Sequence, residues 1–452
     1  MAEIDLIIRN TRMVLPDQFV EGDLAVHDGR IASLGTVDHT AKETVEGDGL
    51  LLLPGMVDVH VHFMDPTETE REDFPTGSAA AAAAGITTVV EHTHSNPIRD
   101  VTAFREKRDY VSKRSVIDFG LAAHFAPGDP DESLAVLREG AAFIKVFTCL
   151  THGIEAIGTG QFYEFMKKID RRKGLFLVHA EDDALTAVAG QQLKKAGRDD
   201  GGVIPEWRHP LAERVAVDTI GELALETDAK VIVAHCSHPM ILDTVAYFRK
   251  RGAHMYAETC PQYLHLMRDE IKKHQAFRKF TPPARAESEH DLQTMWSRLR
   301  EGRVAYLATD HAPATAEQKR AGSIWDVPFG LPGVDTTLPL MMDAVNRGKL
   351  TWHQLVSLYA TNPAQHYGFY PQKGCLYPGS DADFILVAPD NEFAINDNAI
   401  LSKAGWSPYS GRTVKGKVIA TYQRGIKIAE NRKCLAEPGT GRFLPGMGTA
   451  RK

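Results

Sequence analysis

Cysteine is scarce in this chain. Five residues (Cys149, Cys236, Cys260, Cys375 and Cys434) are scattered over 452 positions with no CxxC pair, which excludes a disulfide framework and fits a reducing, cytoplasmic setting. A targeting segment is missing too: the N-terminal MAEIDLIIRNTRMVLP carries charges inside its apolar stretch, so it reads as a pair of strands and not as a signal peptide or membrane span. A basic field is also absent. The formal net charge is -7, with Lys and Arg scattered along the chain, so neither nucleic acid nor a membrane surface is an expected partner. There is no internal repeat and no low-complexity tract. What is present is an ordinary globular composition, 43% hydrophobic and 25% charged, able to bury a large core.

Apolar runs of buried-strand length recur through the middle of the chain, separated by helical stretches. There are eight: residues 57–62, 86–94, 116–125, 142–147, 175–180, 230–236, 254–260 and 303–311. Alternating strands and helices predict a parallel sheet, and eight such units predict an α/β fold of the (β/α)₈ type, a TIM barrel. One helix can be placed in detail, started near Asp73 and Pro75 and ended by Gly85.

The two chain ends differ from this middle. Residues 1–53 and 379–435 both read as short β segments with turns; neither has enough strands to be stable alone, so they are expected to pair into one small β-sandwich domain beside a barrel spanning 54–378. Residues 436–452, rich in Gly and Pro, are expected to form a surface arm.

Polar side chains gather at the C-terminal ends of the barrel runs, which is the face where barrels of this type carry chemistry. His60 and His62 end the first run. On a strand, i and i+2 point the same way, so both imidazoles can reach one metal ion. With 19 histidines in 452 residues an HxH triplet is expected roughly once by chance, and it occurs twice; the second copy, His92 and His94, reads as pocket lining or hydrogen-bonded core. Lys145 ends the fourth run inside AAFIKVF, where a lone buried ammonium is costly. Two solutions are open: pairing with a barrel carboxylate, or carboxylation by CO₂ to a carbamate that could bridge two metals. His179, His235 and Asp310 end runs five, six and eight. Each alone could be a satisfied barrel residue; together they make a metal centre, with Asp310 able to bind metal and carry the proton of an attacking water.

This ordered set resembles the amidohydrolase superfamily, in particular the cyclic-amidase branch of dihydroorotases, hydantoinases (dihydropyrimidinases) and allantoinases. The segments PGMVDVHVH, ETCPQYL, TPPAR, TDHAP, FGLPGVDTTLPL and KGCLYPGSDADFILV extend the likeness nearly end to end. The resemblance implies two divalent metals, Zn²⁺ or else Mn²⁺, Co²⁺ or Fe²⁺. His60, His62 and Asp310 would hold the more buried one, carboxylated Lys145 both, and His179 and His235 the second. It further implies hydrolysis of a cyclic ureide or imide by a metal-bridging hydroxide, with Asp310 as the catalytic acid and base, and assembly as a homodimer or homotetramer.

Departures from the branch bear on the substrate. Dihydroorotases carry HxHxR, and this chain has Met64 in place of the arginine; their MPNTxP segment corresponds here to EHTHSNP, with His94 in the substrate position. Hydantoinases carry a tyrosine five residues after the lysine, and this chain has Leu150. Backbone groups near Thr281 and Gly333 are expected to fix the ring carbonyl. The segments DPTETEREDFPTGS and SPYSGRTVKGKV look most like allantoinases, with dihydroorotase and dihydropyrimidinase as alternatives. A non-catalytic scaffold relative is a further alternative, but such relatives lack ligands that are all present here.

Overall fold

In the structure, a computed structural model, residues 4–92, 94–126 and 129–449 are described; residues 1–3 and 450–452, at the outer ends of the expected β domain and arm, lie outside them. The barrel strands are Met56–Val61, Ile86–Glu91, the broken pair Asp118–Leu121 and Ala123–His124, then Ile144–Phe147, Phe176–His179, Val231–Val233, Met255–Thr259 and Tyr306–Leu307. Each pairs in parallel with the next, for example Phe147 with His179 and Val233 with Ala257. The ring closes where the His62 N–H donates to the His311 carbonyl at 2.7 Å. A parallel bridge between Val61 and His311 marks the same seam.

A hydrophobic cluster built from residues in and beside the barrel strands fills the lumen below the site, with Val57, Val59, Val90, Phe143, Leu175, Leu177, Ile232 and Tyr306 among its members. Val61 belongs instead to the outer cluster between strands and helices. Between Asp58 and Val61 the pairing with the second strand shifts register, and such an irregularity re-aims side chains. It lets Val59 fill the lumen while His60 and His62 rise into the mouth. The helix expected after Asp73 spans Phe74–Ala83; the Asp73 side chain accepts from the Thr76 N–H, and Gly85 follows with a φ of +95°.

Both chain ends contribute to one nine-stranded sheet. Leu51–Pro54 is its keystone: it runs parallel to Ile4–Val14, pairing Met13 with Leu52, and antiparallel to Phe384–Ala394, pairing Leu53 with Ile385. One residue later the chain enters the first barrel strand. Gly55 is needed at that joint, since a Cβ there would lie 2.3 Å from Thr87 Oγ1. Lys373, 1% exposed, rivets sheet to barrel, its Nζ lying 2.7 Å from Asp383 and 2.5 Å from Asp118 of the third barrel strand.

The C-terminal segment does not stand off as an arm over residues 436–449. Phe119 donates to the Arg442 carbonyl, Leu444 donates back to Phe119, and Leu444 is buried in the lumen cluster. Apolar Phe443, Leu444 and Met447, interspersed among the glycines, supply the surface that seats it. Among the described residues no helix is long and apolar enough to cross a membrane.

Candidate active site

His60, His62, Lys145, His179, His235 and Asp310 line one cavity at the C-terminal mouth of the barrel, with His94, His152, Thr281 and Phe329. The His60 ring is locked by Glu258, whose Oε1 lies 2.6 Å from Nδ1. His62 is locked by a backbone carbonyl: its Nδ1 lies 2.6 Å from His92 O, which can only accept. Both rings therefore carry their proton on Nδ1 and turn Nε2 inward. The two Nε2 atoms meet Asp310 Oδ1 at 3.2 and 3.3 Å.

On the other side of the cavity, His179 Nε2 lies 2.8 Å from Glu181 Oε2, leaving Nδ1 to face His235 Nε2 at 3.1 Å. Burial alone would raise Glu181, but Arg208, His179 and Arg285 outweigh it and hold the carboxyl at about 2. It stays an anion and keeps the proton on His179 Nε2. Burial, aided by nearby cations, pushes His60 and His235 well below the usual imidazole range, so these rings are neutral. Lys145 is 1% exposed, and burial lowers its ammonium against the pull of Glu258 and Asp310.

The His60 and His62 rings, with their protons committed on Nδ1, turn lone pairs at the Asp310 carboxylate oxygen, an arrangement that repels unless a cation sits among them. His60 Nε2 has no hydrogen-bond partner. Nitrogen and oxygen donors converging in this way, with His60, His62 and His179 oriented from behind by a carboxylate or carbonyl, are what a divalent transition metal requires. The residues present fit such ions.

Asp310 and His235 adopt positive φ, +51° and +39°. Non-glycine residues rarely do so, and the strained conformation tilts both side chains over the mouth. Asp58, in the PGMVDVHVH segment, anchors the seam from outside: its carboxylate accepts from the Thr309 N–H at 3.1 Å and from Tyr359 Oη at 3.2 Å. Burial raises it to about 6.

The substrate positions expected from sequence divide. His94 lines the cavity, its ring 4.0 Å from that of His62 and 4.2 Å from that of His152. Thr281 lines it too, but its hydroxyl donates to Glu181 Oε2 at 2.9 Å. Met64, Leu150 and Gly333 are not part of the lining. Met64 is buried under the following turn, and Leu150 is 57% exposed, turned away by backbone contacts to Asp183 and Arg208. The Gly333 N–H is committed to His311 Nδ1 at 3.0 Å. Proximity in sequence to a barrel mouth does not set the direction of a loop side chain.

His92 is neither pocket lining nor hydrogen-bonded core. Both ring nitrogens are buried without a partner, and one lies within 4.8 Å of ligand atoms of His60 and His62. Sequence reasoning left Glu258 and Glu181 without a role. The signal for Glu258 was its place at the end of the seventh strand; for Glu181 it was the i+2 spacing from His179.

The amidohydrolase family profile matches residues 51–426. An L-hydantoinase of Paenarthrobacter aurescens is 31% identical over 449 residues, covering 97% of this chain and 98% of that protein. A dihydroorotase of Methanosarcina acetivorans is 30% identical over 459 residues, covering 98% and 96%. Among solved structures, the L-hydantoinase (dihydropyrimidinase) from Arthrobacter aurescens superposes with a TM-score of 0.93 at 30% identity, covering 98% of this chain and 100% of that one. With the barrel, the six convergent side chains and these likenesses together, the chain belongs to the amidohydrolase family.

Proposed function

We propose that this chain is a cyclic amidohydrolase that opens a cyclic ureide or imide ring at its C–N bond, using two divalent metal ions at the six-residue centre. The observation that carries the reading is the convergence of His60 Nε2, His62 Nε2 and Asp310 Oδ1 within 3.3 Å, with the protons of both rings committed behind them. His60, His62 and Asp310 would hold one ion and His179 and His235 the other. Lys145, with its amine driven toward the neutral form by burial, is suited to react with CO₂ and bridge both as a carbamate. Bound there, the ions would supply a nucleophilic hydroxide at neutral pH and polarise the ring carbonyl.

The remaining steps fall to the chain. Asp310 Oδ1 accepts the proton of the nucleophile and returns it to the departing ring nitrogen, a transfer its place beside both His60 and His62 allows. His94, His152 and Phe329 wall the mouth and exclude water. With Met64 buried and uncharged in place of an arginine, dihydroorotate would find no guanidinium at that position.

The test is metal content and turnover in Lys145→Ala. Both are expected to fall together, with partial recovery on adding a small carboxylic acid that stands in for the carbamate. Full activity of Lys145→Ala without such an acid would contradict the reading. The proposal includes Zn²⁺ as the working metal, a homodimeric or homotetrameric assembly and a cytoplasmic setting, with which five free cysteines agree.

A further inference from the structure

A second cavity, of about 440 Å³, lies against the first on the side of the third and fourth barrel strands. Lys145 and Phe147 line both, so a ring held at the metal centre would have this space beside it. Its inner wall is built around His124, 2% exposed, with both ring nitrogens buried and unpartnered. Arg99 reaches in from the loop after the second strand. The Nε of Arg99 is buried without a hydrogen-bond partner, and its guanidinium makes no ion pair with a described carboxylate. The loop is pinned in place: the His124 N–H donates to the Ile98 carbonyl at 2.6 Å, and Asp100 caps the following helix through the Ala103 N–H. Asp100 is thus engaged elsewhere. Glu155 and Gln161 stand at the exposed rim.

A buried imidazole and an unpaired guanidinium facing one cavity leave donors that an apolar substituent would not satisfy, and unsatisfied buried donors are costly. A carboxylate satisfies both, and a guanidinium binds it through charge-assisted, often bidentate bonds. We propose that this cavity is an anion subsite, with Arg99 and His124 as its specificity-determining residues, and that the substrate is a cyclic ureide or imide bearing a carboxylate on its ring substituent. The inference rests on the hydrolytic reading above and narrows its substrate class. It places the anion contact in the loop after the second strand, in a chain whose HxH segment has Met64 where an arginine would serve.

The probes are racemic 5-(carboxymethyl)hydantoin and its neutral carboxamide, which differ in charge but hardly in shape. Binding is measured calorimetrically to zinc-loaded Asp310→Asn, which keeps the cavity and slows ring opening, with and without Arg99→Gln. The acid is expected to bind at least about tenfold more tightly than the amide, the scale of one charge-assisted contact. In the double variant that preference is expected to shrink to within about twofold. Equal binding of acid and amide to Asp310→Asn, or a preference that survives Arg99→Gln, would overturn the subsite. Turnover of both compounds by the wild-type enzyme separates the two readings. If neither ring opens while the Arg99-dependent preference persists, the subsite is supported and the hydrolytic reading falls.

Discussion

Glu258 Oε1 sits 2.6 Å from His60 Nδ1 and also accepts the backbone N–H of His235 at 3.0 Å. One carboxylate thus holds a proposed ligand from each half of the candidate centre. Glu258→Gln removes the charge and keeps the shape, and is expected to weaken metal binding about 10-fold or more. Metal content after dialysis against a graded chelator series checks this; wild-type affinity in the variant would show that the carboxylate does not tune the centre.

Lys373 holds three carboxylates, Asp118, Asp381 and Asp383, at 2.5 to 2.9 Å in a buried pocket. Lys373→Met would strand those charges, and removing one partner from a buried ionic cluster costs about 3–5 kcal/mol. Denaturant unfolding should report a loss of that size. A loss below about 1 kcal/mol would mean that Arg424, 2.6 Å from Asp118, suffices.

Leu444→Ala probes the seat of the C-terminal segment. The side chain is 6% exposed within the lumen cluster, and truncating a buried leucine typically costs about 2–5 kcal/mol. Thermal unfolding should register the loss while metal stoichiometry stays at the wild-type value. An unchanged melting temperature would place residues 436–449 outside the cooperative core.

Acid should destabilise the fold through two histidines remote from the centre. Burial, then nearby cations (Arg412 for His265, Lys230 for His366), brings both down to about 3. An unfolded histidine titrates near 6.5, so between these values the unfolded chain binds more protons and stability rises with pH. On acidification, stability is lost from about pH 6.5 downward, at no more than about 1.4 kcal/mol per pH unit for each residue and less for rings that are only half buried. His265→Asn with His366→Phe should flatten the slope of unfolding free energy between pH 6.5 and 5. An unaltered slope would remove these rings from the account.

The barrel and the side chains lining its mouth were legible because each lies in or at the end of a short apolar run: His60 and His62 after VDV, Lys145 within AFIKVF, His179 after LFLV. Strand period and strand end fix both position and direction. Loop residues follow no such rule, so Leu150, five positions past Lys145, turned out exposed and Gly333 proved committed to His311. The pairing of Glu258 with His60 spans 198 residues and has no local signature. At the C-terminus glycine and proline suggested a surface arm, and composition carried no sign that Phe443, Leu444 and Met447 would pack it against the barrel.

The most direct test of the central claim is to strip the protein with a chelator and titrate Zn²⁺ back while following ring opening of a cyclic ureide such as hydantoin. Activity should vanish in the stripped protein and return with increasing Zn²⁺, saturating near two ions per chain. Undiminished turnover in protein shown by elemental analysis to be metal-free would contradict it.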